Sequence, residues 1–305
     1  MNKKLSSNVF GIEFKNPIMP ASGTFNSGKE VDKIYDISEL GAVMTKSVTI
    51  DPRKGNAHPR VCDTELGMLN AIGLANPGVD FFINKDLPFL RTINTNIIIN
   101  VTGKKISEFS EVIKKLEKYD FIDAYEINAS CPNVETGISY MANEEIFSEL
   151  IKLCRNATLK PIIVKISPEG FNVVELAKIA EKHGANGITL INTIKGMRID
   201  LANRKPFLAN KFGGYSGPGI KPIALRYVYE VYENVKIPII GVGGIQNEYD
   251  VLEYLMAGAS LVQIGTCNFI DPLCMKKIIS NLEKVLVKYN FKSISEAIGA
   301  AHDKK

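Results

Sequence analysis

The stretch AYEINASCPNVETGISYMANEEIFSELIKLCRNATLKPIIVKIS, residues 124–167, holds two short apolar-rich runs with a helical pattern between them. The runs AYEINAS (124–130) and PIIVKIS (161–167) have strand length. Between them, NEEIFSELIKLCRNA (143–157) repeats apolar residues at helical spacing behind an Asn suited to cap its start. A strand, a crossing helix and a second strand in that order make a parallel βαβ unit.

Outward from this unit the alternation recurs. PIMPAS (17–22), GAVMTKS (41–47) and NIIINVT (96–102) precede it, and GITLINT (187–193), IPIIGVGG (237–244) and LVQIGT (261–266) follow. Helical periodicity comes after each run, most plainly in SEFSEVIKKLEKY (107–119) and NEYDVLEYLMAG (247–258), the latter again led by Asn. Eight such units predict an α/β protein built as a single (β/α)8 TIM barrel over residues 1–305. Residues 48–75 after strand two and 194–217 after strand six exceed what a barrel connection requires. With the loop after strand four they are expected to be active-site insertions, because long loops in compact domains are often functional.

The 305 residues, 45% hydrophobic and 23% charged, suffice for a sizeable core. A formal charge of +4 is small for this length, and the lysines are spread through helical segments without interleaved aromatics, which argues against a nucleic-acid partner. The opening MNKKLSSNVFGIEFKNP contains no signal-peptide-like apolar run, and nowhere do about 18 uncharged apolar residues follow one another. A cytoplasmic protein without membrane association is expected. Cys62, Cys131, Cys154, Cys267 and Cys274 are odd in number and without a Cys-x-x-Cys pair. Reduced thiols are therefore expected, with no metal or cluster site in this chain.

In a parallel barrel the active site lies at the carboxyl ends of the strands. Those ends are polar here: Ser22, Lys46 with Ser47, Asn100, Asn128, Lys165, Asn192 with Thr193, Gly243 with Gly244, and Gly265 with Thr266. A lysine ending a core strand either reaches water or presents its ammonium to an anion, since burying it unpaired is costly. Two such lysines beside three asparagines favour an anion-binding mouth. GVGGI (241–245) and IGT (264–266) close strands seven and eight, where backbone amides of glycine loops often hold phosphate; a simple tight turn is the other reading. No G-x-G-x-x-G follows an early strand, so no nicotinamide-dinucleotide site is visible.

Cys131 lies three residues beyond Asn128, in a loop stiffened by Pro132 and able to bend at Gly137. Taken alone it reads as a small buried hydrophobe; in this polar neighbourhood it reads as a nucleophile or general base. With a reference pKa of about 8.5, either role gains from a nearby cation, for which Lys46 is the candidate.

Several stretches resemble one family: ASGTF (21–25), TKSVT (45–49), NAIGLANPG (70–78), INASCPN (127–133), VKISP (164–168), LINTIKGM (190–197), GGYSGPGIKPIALR (213–226) and GVGGI. Together they are similar to the class 1 dihydroorotate dehydrogenases over nearly the whole chain, most closely to the class 1B catalytic subunit. Ala129 and Tyr215 depart from the aliphatic residues expected there.

The resemblance implies that Ser22, Lys46, Ser47, Asn100, Asn128, Lys165, Ile191, Gly217, Gly243, Gly244, Gly265 and Thr266 surround one flavin mononucleotide (FMN) per chain. It places dihydroorotate or orotate against Lys46, Asn70, Ala71, Ile72, Gly73, Leu74, Asn128, Asn133, Asn192 and Thr193. Cys131 would take the proton from carbon 5 while the hydride of carbon 6 goes to the flavin, and the loop that carries it would gate the site. Lys165 would stabilise negative charge on the reduced flavin. Class 1B further implies a partner subunit carrying FAD and a 2Fe–2S cluster that passes electrons to NAD, and a homodimer of this chain within a heterotetramer.

The alternatives are a class 1A enzyme reducing fumarate and a dihydropyrimidine dehydrogenase. Outside redox chemistry stand a phosphate-binding barrel isomerase or lyase, and a sensor that binds orotate without turnover.

Overall fold

The structure, a computed structural model, describes residues 2–129, 140–169 and 172–303. Its centre is one eight-stranded sheet of Ile18–Pro20, Ala42–Met44, Asn96–Val101, Ala124–Asn128, Ile162–Ile166, Gly187–Leu190, Ile239–Val242 and Ala259–Ile264. These are barrel strands one to eight, and every pair between them is parallel. In space they run one, eight, seven, six, five, four, three, two. Strands one and two bring the ends of the sheet together, with Gly41 N–H donating to the Ile18 carbonyl at 2.9 Å. The expected (β/α)8 barrel is the observed fold.

Outside the strands lie helices Ile106–Leu116, Glu144–Asn156, Val173–Lys182, Lys221–Tyr232, Glu248–Met256 and Cys274–Lys288. Glu144–Asn156 shows why such segments are helical and where they turn. Phe147, Leu150, Ile151 and Cys154 are buried at i, i+3, i+4 and i+7, and each large apolar side chain so buried contributes roughly 1.5–3 kcal/mol. Its Asn143 cap accepts from Ile146 N–H at 2.9 Å, and Asn247 closes a capping box with Asp250 on the helix after strand seven. Strand one departs from the expected pattern. Among the described residues, the only helical element before strand two is the 3-10 turn Ile37–Glu39, because Gly23, Asn26 and Gly28 take positive φ and interrupt the chain.

Along a strand, residues two apart point to the same face. Ile98, Ala124, Ile163 and Leu261 fill the lower barrel interior with Met19, Met44 and Ile240. Its amino-terminal end is plugged by the hairpin Ser7–Val9/Ile12–Phe14, through Val9 and Phe14. Two residues further up the same four strands the inward positions become Asn100, Glu126, Lys165 and Gln263, all buried. The interior thus passes from an apolar plug to a polar layer before it reaches the mouth.

The long connections after strands two and six pair with one another. Val61–Thr64, Gly67–Asn70, Gly213–Ser216 and Ile194–Gly196 form one antiparallel sheet, with Asn70 opposite Gly214 and Met68 opposite Ser216. Gly67 and Gly217 allow the close approach: a Cβ on Gly67 would lie 2.0 Å from the Ser216 carbonyl oxygen, and one on Gly217 2.5 Å from Gly67 Cα. Tyr215 seals the sheet by packing with Cys62, Leu69 and Leu208 and donating its hydroxyl to the Leu66 carbonyl at 2.9 Å. The other departure, Ala129, is buried in the core. The expected insertion after strand four falls mainly on 130–139, outside the described residues.

Candidate active site

A cavity of about 670 Å³ opens at the carboxyl ends of the strands, under the insertion sheet. Ser22, Lys46, Ser47, Asn128, Lys165, Ile191, Asn192 and Thr193 line it from the strand ends. Gly217, Gly243, Gly244, Gly265 and Thr266 line it from the loops after strands six, seven and eight, and Asn70, Ala71, Ile72, Gly73 and Leu74 from the first insertion. Cys131 and Asn133 lie outside the described residues. Asn100 is not among the lining residues and is fully buried, in the same inward layer as Glu126, Lys165 and Gln263. From there it accepts from the Ser47 hydroxyl at 2.5 Å and donates to Glu126 Oε1 at 2.6 Å.

Glu126, Thr189 and Gln263 were not singled out in the sequence, yet they form the floor beneath Lys165. Glu126 Oε2 accepts from Thr189 Oγ1 at 2.8 Å and from Gln263 Nε2 at 2.5 Å. Lys165 Nζ lies 3.8 Å from Glu126 Oε1 and donates to Gln263 Oε1 at 3.3 Å. Every member of this group is buried. The signal was present in the period of two: Glu126 precedes Asn128 by two residues, and strands four and five set Asn128 beside Lys165.

Around the mouth, Asn192 Nδ2 donates to Asn128 Oδ1 at 3.2 Å, while Asn192 Oδ1 accepts from Thr193 N–H at 2.8 Å. Across the cavity, the Thr266 hydroxyl donates to Ser216 Oγ at 2.8 Å, and Tyr254 donates to the Gly243 carbonyl at 2.6 Å. Gly244 sits at φ +70° with Lys221 Cβ 2.8 Å from where its own Cβ would lie, so a side chain there is strained. At Gly265, by contrast, an added Cβ would meet only Ala21 Cβ, at 3.6 Å. A side chain on Gly265 would therefore grow into the cavity.

Burial, and then the neighbouring Arg60 guanidinium, hold the Lys46 ammonium below its ordinary value of 10.5. Arg60 lines the same cavity, as do Asn56, Glu169 and Lys195, none of them picked out by the sequence reading. Two cations lining one cavity suit an anionic ligand. Cys267, also on the lining, donates its thiol to the Gln246 carbonyl at 3.8 Å.

The cavity falls within the range of about 300–1,000 Å³ usual for ligand and cofactor pockets. It offers a buried cation on the floor, amide side chains on the wall and glycine loops at one end. That donor set fits a flat, hydrogen-bonding ring system carrying a phosphate, as FMN does, with room for a small anion. Among the described residues there is no group of three or more His, Cys, Asp or Glu side chains able to hold a metal, and no helix long and apolar enough to cross a membrane.

Comparison with known proteins agrees with the fold. Residues 4–286 match the family model for dihydroorotate dehydrogenase. A protein of Bacillus pumilus is 48% identical over 290 residues, covering 95% of this chain and 94% of the relative. Proteins of Geotalea uraniireducens (47% over 297 residues, 97% of each) and Alkaliphilus metalliredigens (47% over 294 residues, 96% of this chain and 97% of the relative) are similarly close. All three are named dihydroorotate dehydrogenase B (NAD(+)), catalytic subunit. The chain belongs to the dihydroorotate dehydrogenase family.

Proposed function

We propose that this chain oxidises dihydroorotate to orotate in pyrimidine biosynthesis, with FMN held in the barrel mouth and NAD as the final electron acceptor. The observation that carries the reading is the single cavity in which Lys46, Asn70 to Leu74, Asn128, Lys165, Asn192, Thr193 and the three glycine loops converge. Relatives at 47–48% identity named NAD-linked catalytic subunits support the choice of acceptor.

When bound, FMN supplies a hydride acceptor. The chain's residues do the rest. Gly243, Gly244, Gly265 and Thr266 would take the phosphate on backbone amides, and Gly217, Ile191, Ser22 and Ser47 would complete the enclosure. Lys165 holds a fixed positive charge against the cofactor, where negative charge develops on reduction. Lys46 and the backbone and amide groups of 70–74 receive the substrate carboxylate, and Asn128, Asn133, Asn192 and Thr193 orient its ring. Cys131 removes the proton from carbon 5, with Lys46 as the cation that favours its thiolate.

Electrons then leave through a partner subunit bearing FAD and a 2Fe–2S cluster, in a heterotetramer built on a dimer of this chain, in the cytoplasm. The test is a comparison of donors and acceptors. Dihydroorotate, but not dihydrouracil, should sustain turnover, with NAD in the presence of the partner and not with fumarate. Fumarate-dependent turnover by the isolated chain would overturn the NAD assignment, and preference for dihydrouracil would overturn the substrate.

A further inference from the structure

We propose that Glu126 is the positioning residue for Lys165, holding its ammonium at the cavity floor and offsetting its charge so that the reduction potential of the bound cofactor is set by the pair. The inference rests on the cofactor site proposed above. Glu126 is 0% exposed, yet it is a carboxylate inside a barrel, a placement that is costly unless its oxygens are satisfied and its charge is matched. Both conditions are met. Oε1 accepts from Asn100 at 2.6 Å; Oε2 accepts from Thr189 at 2.8 Å and Gln263 at 2.5 Å.

Lys165, 6% exposed and on the cavity lining, is the cation within reach, at 3.8 Å. Gln263 ties the two together by donating to Glu126 and accepting from Lys165. The four residues that meet Glu126 come from strands three, five, six and eight, so the carboxylate is fixed by the barrel itself. Its partner, by contrast, ends at the open side. The arrangement ties the lysine ammonium to the cavity floor and gives the layer one charge of each sign.

The test compares Glu126→Gln, which keeps the shape and removes the charge, with Glu126→Asp, which keeps the charge and shortens the reach. Two readouts are taken: the midpoint potential of bound FMN, and the acetylation rate of Lys165 in the apoprotein, followed by mass spectrometry. Glu126→Gln should favour the reduced flavin by about tenfold, equivalent to about 30 mV for a two-electron couple. It should also raise Lys165 acetylation on the order of tenfold, since the lysine loses its partner. Glu126→Asp should stay near the parent in potential, an order that a packing role would reverse.

Parent values for Glu126→Gln in both readouts, or an Asp variant displaced as far as Gln, would overturn the proposal. If the parent binds no FMN, the cofactor reading fails and the acetylation rate alone decides this one. If Glu126→Gln does not fold, the double change Glu126→Gln/Lys165→Met decides: recovery of folded protein is expected, and continued misfolding overturns the pairing.

Discussion

Replacing Lys165 by methionine removes the cation and leaves the Glu126 carboxylate buried with hydrogen-bond donors but no counter-charge. At the observed separation of 3.8 Å and an effective dielectric of about 20, the lost attraction is about 4 kcal/mol. That lies within the roughly 3–5 kcal/mol expected when one partner of a buried ion pair is removed. An unfolding entropy of about 2.1 cal/mol/K per residue, over 305 residues, converts the loss into a fall in Tm of about 6 °C. The assay is a thermal melt of the apoprotein at neutral pH, so that cofactor binding does not contribute. Adding Glu126→Gln to the same chain should restore most of the loss, because the charge left behind is then gone. High salt should change little, since the pair is shielded from solvent. A melt shifted by less than about 2 °C, or a double variant no more stable than Lys165→Met, would refute the reasoning.

Cys131→Ala should slow reduction of the bound flavin by dihydroorotate roughly a hundred- to ten-thousand-fold while the flavin stays bound; stopped-flow absorbance checks this. Gly265→Leu should leave the melt of the apoprotein close to the parent and abolish FMN retention, because its side chain enters open cavity space beyond Ala21; equilibrium dialysis with FMN checks it. Orotate affinity should be present while Lys46 is protonated and lost as pH rises through its lowered pKa, earlier on the alkaline side than an ordinary lysine at 10.5 would allow. Arg60→Met should move that loss to higher pH, since removing the neighbouring cation raises Lys46; a titration of orotate binding against pH reads it.

The barrel was legible because its strands are short Val- and Ile-rich runs and its helices carry apolar residues at 147, 150, 151 and 154 or their equivalents. The mouth was legible because a lysine or asparagine at the end of such a run is expensive unless it has something to meet. The polar layer below was not, since Glu126 sits within a run that otherwise reads as one buried strand, and its partners lie on other strands as far away as Gln263. The insertion sheet was hidden for a similar reason: Asn70 and Gly214 pair across 144 positions of sequence. The helix expected after strand one failed where positive-φ residues at 23, 26 and 28 break the chain, a local effect that hydrophobic periodicity does not register.

The most direct measurement is an anaerobic absorbance spectrum of the FMN-loaded chain before and after one equivalent of dihydroorotate. The account predicts that the flavin band near roughly 450 nm bleaches as hydride is accepted, with orotate formed in equal amount. A chain that holds FMN but keeps its oxidised spectrum in the presence of dihydroorotate would contradict it.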